Sequence, residues 1–309
     1  MNRERRRWFR VGFNRKGSIV PAVLSRVILC GTFGFLVSSI QSLQNLGISV
    51  ALPVWGGIIP NIVIGLLLIL RINTALERFG AGHKGWGALV NTVRNLARQI
   101  LVAVKENEAI DRIKKYEALR LLVAFAVATK LYLRQEPVNS ELEPLLSPER
   151  YLKLQSKENP PLQIALWIAD YLQQQHDRKH LTSYQLASLH KLLDTLVNSL
   201  GGCERIIKTP VPLVYAIHLK GLLLIYCLLL PLQVVTAFGW YTAPIVVLVS
   251  FALFGIDEIG SELEDPFGYD PNDLPLDDNC TKLLRDIEEL STLEPSLKNI
   301  PEFDVSWKY

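Results

Sequence analysis

Charged positions vanish from the chain twice. From Ser18 to Leu70 the only charged residue is Arg26, and from Val211 to Ile256 only Lys220 and His218 are ionisable apart from tyrosine and cysteine. Each stretch divides into two apolar runs, roughly Ile19 to Gln41 and Pro53 to Leu70, then Pro212 to Leu232 and Trp240 to Ile256. A helix needs about 20 apolar residues to cross a hydrocarbon core, so the pattern predicts four transmembrane helices. Between the two stretches the period changes. Leu89, Val93, Leu96, Ile100 and Val104 recur at steps of three and four, which predicts an amphipathic helix over Arg71 to Val104. Further helices are predicted over Tyr116 to Leu133, Leu162 to Gln175 and Ser183 to Leu200, with a loop from Glu136 to Pro161 and a stop at Gly201-Gly202. The expected fold class is all-α.

The segments are then residues 1–18, a basic N-terminal arm; 19–70, two spans; 71–211, a helical region; 212–256, two more spans; and 257–309, an acidic tail. The tail holds one predicted helix, Cys280 to Leu290, capped by Asp277 or Asp278.

Charge sets the expected orientation. The arm carries Arg3, Arg5, Arg6, Arg7, Arg10, Arg15 and Lys16 against the single acid Glu4, while the loops Ser42 to Leu52 and Gln233 to Gly239 carry no charge. Basic residues are retained on the cytoplasmic side, so both termini and the long middle segment belong there. That middle segment, Arg71 to Lys208, has 20 Lys and Arg against 14 Asp and Glu. The mean hydropathy of +0.21 agrees with a membrane protein, and a net charge of +3 is too balanced for a nucleic-acid binder.

Catalytic motifs are missing. There is no Walker A, no GxSxG and no Cys/His nucleophile pattern, and the four cysteines form no CxxC pair, so neither an enzyme nor a metal site is expected. Gly80-Ala81-Gly82-His83-Lys84-Gly85 spells GxGxxG, but the dinucleotide fingerprint requires a preceding strand. Close helix packing is the better account of those glycines. His176-Asp177-Arg178-Lys179-His180 imitates HExxH with Asp for Glu and reads as a solvated helix end. Within the spans, Arg26, His218 and Lys220 are functional candidates because charge is costly in hydrocarbon. Ile62, Leu66 and Leu70 recur at steps of four and share one helix face; stacked in several copies around an axis they would form apolar rings of the kind that gate by dewetting. A face against lipid is the plainer alternative.

Arg71-Ile72-Asn73-Thr74-Ala75-Leu76-Glu77-Arg78-Phe79, Trp86 to Asn91, Arg94 to Arg98, Gly201 to Ile206, Thr209 to Pro212 and Asp265 to Pro275 together resemble the bestrophin family, especially its bacterial and chloroplast branch. The resemblance implies a homopentameric channel with a central pore, self-association being the main protein contact. It places the hydrophobic neck at Ile62, Leu66 and Leu70 and, counting back from Cys203, an inner aperture at Leu196. Animal members hold calcium in an acidic run after Pro-Phe-Gly; only Asp270 and Asp273 match it here, short of the six to eight oxygens calcium takes, so a turn and subunit latch is the alternative and no cofactor is expected. The expected cargo is monovalent anions, chiefly chloride, with a monovalent cation channel or a non-conducting scaffold as rivals. The bacterial inner membrane, or a thylakoid membrane in a photosynthetic source, is the expected site.

Overall fold

The computed structural model describes residues 18–43 and 58–292. The basic arm before Ser18, nearly all of the loop Ser42 to Leu52, the start of the second apolar run and residues 293–309 of the tail lie outside them. The described residues are helical, with no strand among them. In chain order they form α1 (Val20–Ser42), α2 (Ile58–Ala103), α3 (Ala109–Leu133), a 3₁₀ turn (Ser140–Leu145), α4 (Pro148–Gln155), α5 (Pro160–Asp177), α6 (Ser183–Lys208), α7 (Leu213–Phe238), a 3₁₀ turn (Gly239–Tyr241), α8 (Thr242–Leu263) and α9 (Leu276–Thr292).

The chain divides into two compact units, Met1–Ala81 with Lys208–Asp273, and Gly82–Ile207 with Leu274–Tyr309. The first gathers α1, the first half of α2, α7 and α8 around Val23, Val27, Cys30, Ile64, Leu68, Leu223, Cys227, Val246 and Phe254. Val20–Ser42 and Leu213–Leu263 are long and apolar enough to cross a membrane. Helices in lipid gain little from apolar contact alone and associate where small residues let backbones approach. Gly31 and Gly34 do this for α1: an added Cβ would lie 2.5 Å from Val247 and 3.4 Å from the Ala243 backbone on α8. Gly239, at φ +51°, turns the chain between α7 and α8.

The second unit is built around α3, whose residues Leu119 to Leu131 are buried on all sides except Arg120. Glu108 and Asp111 form a capping box at its start, and at its end Gln135 takes φ +58° while Glu136 N–H donates to Leu131 O at 2.9 Å, the reciprocal closure of a Schellman stop. Lys179, at φ +63°, ends α5 in the same way, with His180 N–H donating to Gln175 O. Lys130 is 1% exposed and donates to Glu141 at 2.6 Å and Asp277 at 2.7 Å, tying α3 to the first turn of α9.

Several boundaries differ from the sequence reading. The helix predicted from Arg71 starts at Ile58 and runs 46 residues to Ala103, about 69 Å at 1.5 Å per residue, since no Pro or cap interrupts it after its first turn. The loop Glu136 to Pro161 contains the first 3₁₀ turn and α4, begun by the Asn139 and Ser147 side chains accepting from backbone N–H groups. Gly201-Gly202 does not stop α6, which runs on to Lys208; burying Leu200 and Cys203 outweighs the weak helix propensity of glycine, and Thr209-Pro210 is the real break. Asp277 and Asp278 lie inside the first turn of α9 rather than capping it, because the helix begins at Leu276.

Candidate functional site

In the first half of α2 two faces have opposite fates. Ile64, Leu68, Arg71 and Ala75 are buried and form one stripe at helical spacing. On the opposite side Ile62, Leu66 and Leu70 are 60%, 55% and 51% exposed, with Ile69 and Leu76 beside them. The three residues predicted to share a face do so, and the described residues of their own chain leave that face uncovered. Helix α7 fixes the depth of this segment: Tyr215 Oη donates to Leu67 O at 3.3 Å and Tyr226 Oη donates to Asn61 Oδ1 at 2.7 Å.

Leu196 is placed differently. It is 0% exposed, within the buried stripe Leu189, Leu193, Leu196, Leu200 and Cys203 of α6. A side chain enclosed by its own chain is not uncovered by adding further copies, so the aperture assignment at Leu196 is corrected: the position is core. The apolar spacing of that stripe was the available signal.

A buried ionic cluster sits toward the C-terminal end of the α2 stripe. Arg71, 3% exposed, donates from Nε to Asp257 Oδ1 at 3.0 Å, from Nη1 to Glu264 Oε1 at 2.6 Å and from Nη2 to Ser261 Oγ at 3.0 Å. Asp257 and Ser261 on α8 and Glu264 at its C-cap recur at steps of four and three, a polar stripe directly after an apolar span that is visible in the sequence. Gly260 makes room for the arginine, since a Cβ there would lie 3.2 Å from Arg71 Cγ. Nearby, Arg26 on α1 pairs with Glu258 on α8 at 3.2 Å, and Arg78 Nη1 donates to Thr209 O at 2.6 Å. Arg26 therefore has a protein partner, whereas Lys220 and His218 are exposed on α7.

The Asp265 to Asp273 turn closes on itself. Asp270 N–H donates to Asp273 Oδ2 at 2.8 Å, Phe267 N–H donates to Asp265 Oδ1 at 3.2 Å, and Phe267 is fully buried. Burial raises the Asp273 carboxyl above its ordinary range, and the neighbouring acids Asp270, Asp265 and Glu262 push the same way. One oxygen of Asp273 is committed to the turn, and among the described residues no three His, Cys, Asp or Glu side chains gather where a metal ion could sit.

The two letter-motifs resolve into packing. GxGxxG lies inside α2 and follows helix, not strand; of its glycines Gly85 is a close approach, where a Cβ would meet Cys203 Sγ at 2.9 Å. Within His176 to His180 the helix ends at Asp177, so the histidines do not share a face. His176 meets Ser183 Oγ at 3.1 Å, and His180, expected in solvent, is buried with Nδ1 3.0 Å from Gln175 Oε1.

A family model described as the bacterial and fungal bestrophin protein matches residues 1–289. The chain belongs to the bacterial and fungal bestrophin family. This bestrophin is 55% identical over 295 residues to a protein of Nostoc sp. named a voltage-dependent anion channel-forming protein, covering 96% of this chain and 95% of the relative. A protein of the same description from Escherichia coli is 30% identical over 292 residues, covering 94% and 93%. Among solved structures, the crystal structure of a bacterial bestrophin homologue from Klebsiella pneumoniae matches with a TM-score of 0.78 at 29% identity, covering 88% of this chain and 100% of that one. The all-helical fold of this bestrophin is thus that of bestrophin crystal structures.

Proposed function

We propose that the protein is an integral membrane channel subunit that conducts monovalent anions, chiefly chloride, passively through a hydrophobic neck. The observation that carries this is the uncovered apolar stripe Ile62, Leu66 and Leu70, set opposite the stripe by which α2 packs into its own chain. Five copies arranged around an axis would turn that stripe into three stacked rings. The chain then crosses the membrane four times, with α1, the first part of α2, α7 and α8 as spans and both termini in the cytosol, in line with the basic arm and uncharged hairpin loops. The names of the relatives support anion conduction.

Apolar rings offer an ion nothing in exchange for its hydration shell, so permeability should fall as anion hydration strengthens, iodide passing more readily than chloride. The basic excess between Arg71 and Lys208 would concentrate anions at the inner end wherever it faces the pathway. Arg71 is neutralised by its own acids and supplies none of this field.

The test is reconstitution in planar bilayers with the reversal potential read across a KCl gradient, Leu70→Ala run alongside. Reversal near the chloride potential, with conductance changed by about twofold or more in the variant, is the expected result. Reversal near the potassium potential would make it a cation channel on the same scaffold, since aliphatic rings carry no sign of charge. Reproducible silence, with and without calcium, would leave a membrane scaffold.

A further inference from the structure

The uncovered stripe of α2 needs something to hold its rotation at Leu70, and the apolar contacts of Ile64 and Leu68, with the Tyr215 and Tyr226 hydrogen bonds that set depth at Leu67 and Asn61, fix rotation there only weakly. The Arg71 cluster supplies what they lack. All three guanidinium nitrogens are engaged by three different side chains, Asp257 and Ser261 on α8 and Glu264 at its C-cap, so the planar group is fixed in position and in orientation. Arg71 follows Leu70 directly in sequence, and the roughly 100° between successive helical residues turns it away from the exposed stripe, so it is buried while Leu70 is half exposed. The clamp therefore grips α2 at the depth of its innermost neck residue.

Resting on the reading of α2 as pore-lining, we propose that Arg71 is the positioning residue of the neck: held by Asp257, Ser261 and Glu264, it sets the rotation and outward tilt of α2 and hence the bore at Leu70. Helix α8 is then the rigid reference for the pore. It holds α2 through Asp257, Ser261 and Glu264 and α1 through Glu258 and Arg26, all within one unit. Gly260 belongs to the device because it is the slot through which the arginine stem passes, with Arg71 Cγ 3.2 Å and Nε 3.4 Å from where a Cβ would stand. Lysine would retain the charge and lose the three-way bond. Alanine at 260 would retain every charged group and displace the stem.

The experiment compares wild type, Arg71→Lys and Gly260→Ala as purified full-length channels. Oligomer size and melting temperature are measured first, then unitary conductance and the iodide-to-chloride permeability ratio. A positioning role predicts assembled oligomers in which unitary conductance or the permeability ratio shifts by about threefold or more in both variants. It also predicts a broader distribution of inter-copy distances between spin labels at Leu70→Cys when Arg71→Lys is added. Oligomers of lower melting temperature with wild-type conductance, ratio and distances would make the cluster a purely stabilising contact and overturn the proposal. Failure of both variants to assemble would place the cluster in folding and overturn it equally. Wild-type silence would remove the channel reading itself; wild-type currents with unchanged variants remove only this inference.

Discussion

Lys130 shows how far a single residue can depart from what its local sequence suggests. It lies in the run Val127-Ala128-Thr129-Lys130-Leu131 and is nonetheless 1% exposed, its ammonium between Glu141 and Asp277, with Arg134 also on Asp277 at 2.9 Å. Burial opposes the charge, but the hydrogen bonds that Lys130 donates to Asp277 and Glu141 outweigh it and raise the lysine above 10.5; burial likewise opposes ionised Asp277, and Lys130 and Arg134 outweigh it and hold the carboxyl below 3.8. The lysine contribution is complete below pH 10.5 and is lost as the pH rises through its raised value. The aspartate contribution is complete above pH 3.8 and is lost as the pH falls through its lowered value. Melting temperature in detergent should accordingly lose an acid-limb component below pH 3.8 in wild type that is missing in Asp277→Asn, with the two proteins differing by a constant amount between pH 5 and 9. Equal acid limbs would show that the pair contributes nothing. The partners of Lys130 at 11 and 147 residues' separation, like those of Arg71 at 186 to 193, were not legible in the sequence, because period and composition report on a helix and not on what lies against it.

Helices were legible where an apolar stripe repeats and illegible where glycine was read without its surroundings. Gly85, Gly201 and Gly202 all lie inside helices, and the space around them differs. A Cβ at Gly85 would lie 2.9 Å from Cys203 Sγ, whereas one at Gly201 or Gly202 meets nothing within 4 Å. Gly85→Ala should therefore destabilise by about 1–2 kcal/mol, overpacking exceeding the gain in helix propensity, and Cys203→Ala in the same chain should recover most of it by removing the obstructing sulfur. Gly201→Ala and Gly202→Ala should each stabilise by about 0.5–1 kcal/mol. Shifts in melting temperature of the opposite sign at either place would refute the packing described. The same reasoning accounts for Leu196, which belongs to the buried stripe of α6: sequence distance from Cys203 gives depth along a helix, and the face follows only from the whole stripe.

At the scale of the whole molecule every cysteine is enclosed. Cys30, Cys203, Cys227 and Cys280 are buried and unpaired, and burial pushes the Cys203 and Cys280 thiols up to about 11 and about 12. A maleimide at pH 7 should label no thiol in the folded channel and four in denaturant, counted by mass spectrometry; labelling of Cys203 or Cys280 without denaturant would contradict the core described. The sequence by itself determined the all-α class, the charge-poor stretches, the shared face of Ile62, Leu66 and Leu70, and the family, because hydrophobic period and local motifs are properties of neighbouring residues. Only the tertiary structure decided that this face is left uncovered while Leu196 is not, and that Arg26 and Arg71 are both neutralised by acids of α8. Those outcomes depend on which distant groups share a buried space, and the cost of an unpaired charge there is settled by contacts between residues 186 to 232 apart in the chain.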